Sequence, residues 1–185
     1  NSLDTAALVA QRESAREALV AKCGENVNIR RLTRIEGDVL GAYLHGNRIG
    51  VVVSMTGGDA ELAKDVAMHV AASNPQFLDP TQVSDEAIAK EKEIFMALNE
   101  DKIKGKPENI VENMVKGRIN KFLAEASLVE QAFIKNPEVT VGQLAKQAGA
   151  TIVSFVRFEV GEGIDRGEEV DFAAEVAAQV AASKK

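Results

Sequence analysis

His45 and His69 are the only histidines of the chain and Cys23 is its only cysteine, so the reach for metal and nucleophilic chemistry is short. Neither histidine sits in an H-x-x-x-H or H-E-x-x-H frame, where two imidazoles one helical turn apart would grip a metal. No metal site is expected. Nucleophilic catalysis would need a Ser, Thr or Cys beside a base and an orienting carboxylate. There is no G-x-S-x-G elbow, and Cys23, near the end of a predicted helix, reads as a small core hydrophobe. Among the 28 carboxylates none forms a pair whose apolar setting would split two pKa values; a pair assembled only by the fold stays open. Gly161-Glu-Gly163-Ile-Asp-Arg-Gly167 lies between a predicted strand and helix like a dinucleotide fingerprint, but that fingerprint needs its third glycine where Arg166 stands, and acidic neighbours would repel a pyrophosphate. It reads as a turn, and no cofactor is expected.

His45 has a different setting. It sits at the tip of a predicted tight hairpin between Leu44 and Gly46, and loop tips on rigid scaffolds are where binding residues concentrate; a solvated turn residue is the competing reading. His69 follows Met68 beside the apolar stripe of a predicted helix, where a packed or edge-exposed imidazole is the plain expectation. Arg30-Arg31 and Arg34 form the one basic cluster. With one Tyr and no Trp no stacking platform accompanies it, so a salt-bridged strand edge is expected.

The net charge of −6 opposes phosphate backbones and anionic membranes. A lone cysteine makes no internal disulfide and suits a reducing cytoplasm. Nothing approaches the run of about 20 apolar residues that spans a bilayer. The opening Asn1-Ser2, without Met or a charged-then-apolar leader, argues against a signal peptide and leads us to expect a piece of a longer protein. Composition, 45% hydrophobic and 27% charged, is that of a folded chain, and 185 residues hold one core or two small ones.

The elements that must position these residues are set by periodicity. Leu8, Ala15, Leu19 and Val20 recur at helical spacing from Asp4 to Lys22, with Gly24 placed to end the helix. Val27 to Glu36 alternates and predicts a strand. Val39–His45 and Arg48–Thr56 predict two strands joined by Gly46-Asn47, a type II′ turn needing positive φ at its first position. Asp59 caps a helix with a stripe of Leu62, Val66 and Val70, stopped by Asn74-Pro75. Ser84 caps a helix carrying Ile88, Phe95 and Leu98 to about Gly105, and Pro107 starts its return with Ile110, Met114, Ile119 and Phe122. These two predict an antiparallel helical-hairpin arm, inserted between the strand hairpin and the C-terminal part of the chain. Thr140-Val-Gly-Gln143 has capping-box spacing, with Gly149 ending the helix. Thr151–Val160 is apolar on both alternating faces and predicts a central strand. A last helix is expected over Asp171–Ala182. The fold class is α+β, a small antiparallel sheet backed by helices.

Gly24-Glu-Asn-Val-Asn-Ile-Arg-Arg31, Tyr43-Leu-His-Gly-Asn-Arg-Ile-Gly-Val51, Ala67-Met-His-Val-Ala-Ala72 and Phe155-Val-Arg-Phe-Glu-Val-Gly-Glu-Gly163, in this order and with the arm between the third and fourth, resemble the C-terminal two-thirds of bacterial elongation factor Ts. The resemblance implies guanine-nucleotide exchange on elongation factor Tu, by binding that partner in a conformation that holds GDP and magnesium poorly, with no covalent step. It implies that Leu44, His45, Gly46, Asn47 and Arg48 meet the third domain of Tu, and that Phe172 and Val176 of the last helix meet its nucleotide-binding domain. The implied organisation is the end of a first core subdomain at 1–37, a second at 38–78 and 126–161, a coiled-coil arm at 79–125 and a C-terminal module at 162–185. The family's N-terminal ubiquitin-associated-like domain and its Thr-Asp-Phe-Val motif have no match here, since Val170-Asp-Phe172 is not that motif. Two rival readings stand beside this one: a module pairing with a second copy through its arm and sheet edge, and an enzyme using buried carboxylates.

Overall fold

The computed structural model describes residues 5–164. In chain order the elements are α1 (Thr5–Cys23), β1 (Val39–His45), β2 (Ile49–Thr56), α2 (Ala60–Ser73), α3 (Asp85–Leu98), α4 (Glu100–Ile103), α5 (Glu108–Ala126), β3 (Ala132–Phe133), β4 (Asn136–Thr140), α6 (Val141–Gln147) and β5 (Thr151–Glu159). The class is α+β, as expected: an antiparallel sheet in the order β1-β2-β5, backed by helices.

The core forms where α2 crosses the sheet. Ala63, Val66, Ala67 and Val70 on one face of α2 meet Val51, Val53 and Met55 on one face of β2, all essentially without solvent contact. Each buried Val or Met side chain contributes about 1.5–3 kcal/mol of transfer free energy. Asp59 caps α2 by accepting from the Leu62 N–H at 2.8 Å, and Asn74 ends it in the left-handed conformation, φ 46°, which asparagine tolerates. Gly41 in β1 lets the helix come close, since a Cβ there would lie 2.2 Å from the Ala63 carbonyl carbon.

The hairpin forms with the register Val39↔Met55 to His45↔Ile49. Its second strand resumes at Ile49, not Arg48, because the Arg48 N–H closes the turn onto the His45 carbonyl at 3.3 Å. φ is +55° at Gly46 and not positive at Asn47, the pattern of a type II′ turn.

Four expectations need correcting. Residues 27–36 have no regular secondary structure: alternation gives a strand its two faces but not a hydrogen-bonding neighbour, and here the strands bond among themselves. Side chains hold the segment instead. Arg16 Nη1 donates to the Val27 carbonyl (3.1 Å) and Ser54 Oγ to that of Glu36 (3.3 Å). β5 is an edge strand, with β2 at the centre; one apolar face of β5 joins the core through Ile152 and Phe155, while on the other Phe158 lies under the Arg31 guanidinium, 4.5 Å from its ring centre. Cys23 is exposed, because no residue from Ala6 to Cys23 is buried. Finally, α3 stops at Leu98, where the Asn99 Nδ2 donates to the Phe95 carbonyl at 2.9 Å, and α4 is a separate turn before α5, whose N-cap position, rather than its first helical one, holds Pro107 without a side-chain cap bond.

The chain leaves for the arm and returns at one place. The N–H groups of Gln76 and Phe77 donate to the Ala126 carbonyl (2.9 and 3.0 Å), and Leu128 N–H donates to the Phe77 carbonyl (2.9 Å). The start of α3 is thereby tied near the end of α5 while a short connection joins their other ends, so the two run antiparallel, bridged by Arg118 Nε donating to Glu91 Oε1 at 2.7 Å. Of the residues in α3 and α5 only Ala126 is buried. The short pair β3 and β4 was not anticipated, since two and five residues are too few to show a period. The capping box of Thr140 and Gln143 forms at α6, and Gly149 follows the C-cap residue Ala148 with φ +63°.

Candidate partner-binding hairpin

The two legs of the hairpin tip are held differently. On the first, the Tyr43 hydroxyl lies 3.2 Å from Nδ1 of His45, with ring centres 6.2 Å apart. Residues two apart on a strand share a face, so the tyrosine orients the imidazole above it. On the second leg, Arg48 Nε donates to Glu159 Oε1 at 2.9 Å, and Arg157 Nη2 donates to Glu159 Oε2 at 2.9 Å. The Val160 N–H adds a bond to the Arg48 carbonyl at 2.9 Å. His45, Ile49 and Glu159 are successive register partners across the sheet, so the clamp and the histidine stand in one row.

The five predicted hairpin residues come together as a projecting tip: Leu44 is 76% exposed, and His45, Gly46, Asn47 and Arg48 are exposed. Below it, the hairpin, the end of β5 and residues 25–31 enclose an open groove of about 790 Å³, lined among others by Ile29, Leu44, Ile49 and Phe158. Arg30 and Arg31 line it and are tied to Glu162: Arg30 Nη2 donates to the Glu162 carbonyl at 2.5 Å and Arg31 pairs with the Glu162 carboxylate at 2.8 Å. Outside that lining, Arg34 pairs with Glu36 at 2.9 Å. The basic cluster is therefore salt-bridged as expected, without being a strand edge. Phe172, Val176 and the predicted last helix lie outside the described residues.

His69 is packed. It is fully buried, with Nε2 2.9 Å from Gln131 Oε1 and Nδ1 accepting the Ile134 N–H at 3.3 Å, and burial pushes its pKa below the ordinary histidine value. Among the described residues the carboxylates with shifted pKa values are all held low: Glu159 by hydrogen bonds from Arg157 and then Arg48, Glu162 by Arg31, Glu13 by Arg16 and Asp79 by the Thr81 backbone. Such groups stay ionised near neutrality. They suit holding a surface in shape rather than delivering a proton.

Sequence reasoning missed Tyr43, Arg157 and Glu159 as parts of the tip's support. Alternation along Thr151–Val160 already set Arg157 and Glu159 on one face; what it lacked was the register that brings that face beside the turn.

The sequence profile of the family described as Elongation factor TS matches residues 2–162. The chain is 80% identical over 182 residues to "Elongation factor Ts" of Azotobacter vinelandii and of Pseudomonas aeruginosa strain LESB58, covering 98% of this chain and 63% of each of those proteins. It is 73% identical to the protein of that name in Ectopseudomonas mendocina over 185 residues, all of this chain and 64% of the relative. It thus spans less than two-thirds of the length of these relatives. With a projecting, doubly anchored hairpin inside the matched span, the chain belongs to the elongation factor Ts family.

Proposed function

We propose that the chain acts in bacterial translation elongation, in the cytoplasm, by binding elongation factor Tu through the tip formed by Leu44 to Arg48 and promoting release of GDP. The carrying observation is that tip: it projects an apolar leucine and an imidazole into solvent while both its legs are fixed, so little conformational entropy remains to be lost on binding. Phe172 and Val176 are proposed as a second contact, with the nucleotide-binding domain of Tu. Exchange of this kind couples two binding events. By linkage, nucleotide weakens the factor's grip on Tu by the same factor by which the factor weakens the nucleotide's. The reaction makes and breaks no bond, so no catalytic residue is assigned. These 185 residues contain no Thr-Asp-Phe-Val, the segment that the family resemblance places beside nucleotide and magnesium, so we expect binding to outrun exchange.

Release of a fluorescent GDP analogue from Tu, with and without the chain, tests this beside a pull-down with His45→Ala. Faster release, weakened by the substitution, supports the reading. Absence of any binding overturns it.

A second reading, self-association through the arm, is favoured by Ile94, Leu98 and Ile110, which are 43%, 79% and 43% exposed. A concentration-independent monomer mass would overturn it.

A further inference from the structure

Glu159 lies 111 residues beyond Arg48, outside the hairpin, yet both oxygens of its carboxylate are spoken for by the hairpin's support. Oε1 takes the Nε of Arg48 and Oε2 takes Nη2 of Arg157, each at 2.9 Å. The two guanidinium groups differ in kind. Arg48 stands at the turn with 71% of its side chain exposed, whereas the Arg157 side chain is 9% exposed, and its Nε has no partner among the described residues. Arg157 is therefore a fixed post, packed into the end of the sheet, and Arg48 is a solvated arm that the carboxylate ties to it. A backbone bond parallel to this tie, Val160 N–H to the Arg48 carbonyl at 2.9 Å, holds the same point of the turn. Close by, Gly46 has no atom within 4 Å of where a side chain would begin, so packing does not hold the turn at that point.

We propose that Glu159 is a positioning residue for partner binding: by bridging Arg157 to Arg48 it fixes the second leg of the Leu44–Arg48 tip, and affinity for elongation factor Tu depends on that bridge although Glu159 itself touches no partner. The proposal rests on the tip being the Tu-binding element. Preorganisation of this kind acts through the free protein, by removing conformers that cannot bind. Glutamine at 159 retains one acceptor oxygen but turns an N–H₂ donor toward the second guanidinium, so it can hold one arginine and not both. Arg48→Met removes the tie from the other side, and Arg48→Lys restores a single charged donor within reach of Oε1.

The test is made on the 185-residue chain with two readouts: amide hydrogen exchange of Arg48 and Val160, referenced to Val53 in the centre of the sheet, and the Kd for Tu. Expected for Glu159→Gln and Arg48→Met are faster exchange at Arg48 and Val160, unchanged exchange at Val53, and a Kd raised on the order of tenfold. Arg48→Lys should recover most of both effects, and the double variant Glu159→Gln/Arg48→Met should lose no more affinity than the worse single one. Unchanged exchange at the tip in Glu159→Gln overturns the bridge. Tip amides that loosen without any change in Kd overturn its role in binding, as does a double variant whose losses add. A loss of protection at Val53 as well would make Glu159 a residue of the fold and overturn the proposal too. If the unsubstituted chain does not bind Tu, the functional reading fails, and with it the role in binding proposed here, while the exchange data still decide whether the bridge orders the tip.

Discussion

The backbone N–H of Ile134 donates to Nδ1 of His69 at 3.3 Å, joining the middle of α2 to the turn between β3 and β4. Because that nitrogen accepts, the proton of the neutral imidazole sits on Nε2, which faces Gln131 Oε1 at 2.9 Å; Gln131 in turn donates from Nε2 to the Glu125 carbonyl at 2.6 Å. Around this chain of bonds lies the ion pair Lys135–Asp65 at 2.6 Å. Burial lowers the pKa of His69, so between its folded value and the unfolded value of about 6.5 the unfolded state binds more protons. Stability from this site is therefore present above about pH 6.5 and is lost as pH falls toward the folded value. Thermal unfolding scanned across that range should show it, and His69→Phe should flatten the slope while costing roughly 1–3 kcal/mol, the scale for leaving a partly buried donor without its acceptor.

Gly41→Ala should destabilise the core more than its single added carbon suggests. The new Cβ would lie 2.2 Å from the Ala63 carbonyl carbon and 2.5 Å from the Lys64 nitrogen, which are helix backbone and cannot swing away as a side chain end would. Overpacking of this kind costs typically about 1–3 kcal/mol. Urea denaturation should show a lower midpoint at an unchanged slope; an unchanged midpoint would mean that α2 slides on the sheet freely.

Gly46→Ala isolates a conformational cost from a packing cost. φ is +55° there and no atom lies within 4 Å of the added carbon, so the penalty, roughly 1 kcal/mol, comes from the backbone alone. Expected are a melting temperature lower by about 2–4 °C and weaker binding of Tu, with core amides losing no more protection than that same roughly 1 kcal/mol. A variant that binds as well as the parent would show that the turn need not keep this shape.

Local chemistry is legible from short windows. Gly46-Asn47, Asp59 with Leu62, and Thr140 with Gln143 each carry their turn or cap chemistry within a few residues, and the two caps form as expected, while the turn forms with Arg48 drawn into the loop, since His45 pairs with Ile49. What escapes depends on neighbours distant in the chain. The alternation of Val27 to Glu36 promises a strand, but a strand also needs a paired edge, and the apolar faces of β5 hint at a central place that β2 occupies. The bridge from Arg48 to Glu159 is of the same sort: both residues are visible in the sequence, and only the register Ile49↔Glu159 makes them neighbours.

The arm offers a test of how far the sheet stands alone. Its ends are held together by the bonds from Gln76 and Phe77 to Ala126 and from Leu128 to Phe77, so replacing residues 79–125 by a short Gly/Ser linker closes a gap that the fold already closes. Among the replaced residues Val83 is buried, while α3 contributes none. Such a variant should unfold cooperatively with a melting temperature within about 4 °C of the intact chain, a shift of roughly 1 kcal/mol, and protect Val53 and Val66 as before. Because the tip of Leu44 to Arg48 belongs to the sheet rather than to the arm, Tu binding should survive the replacement, and any self-association carried by Ile94, Leu98 and Ile110 should vanish with it. Loss of cooperative unfolding would instead make the helical pair an integral support of the sheet.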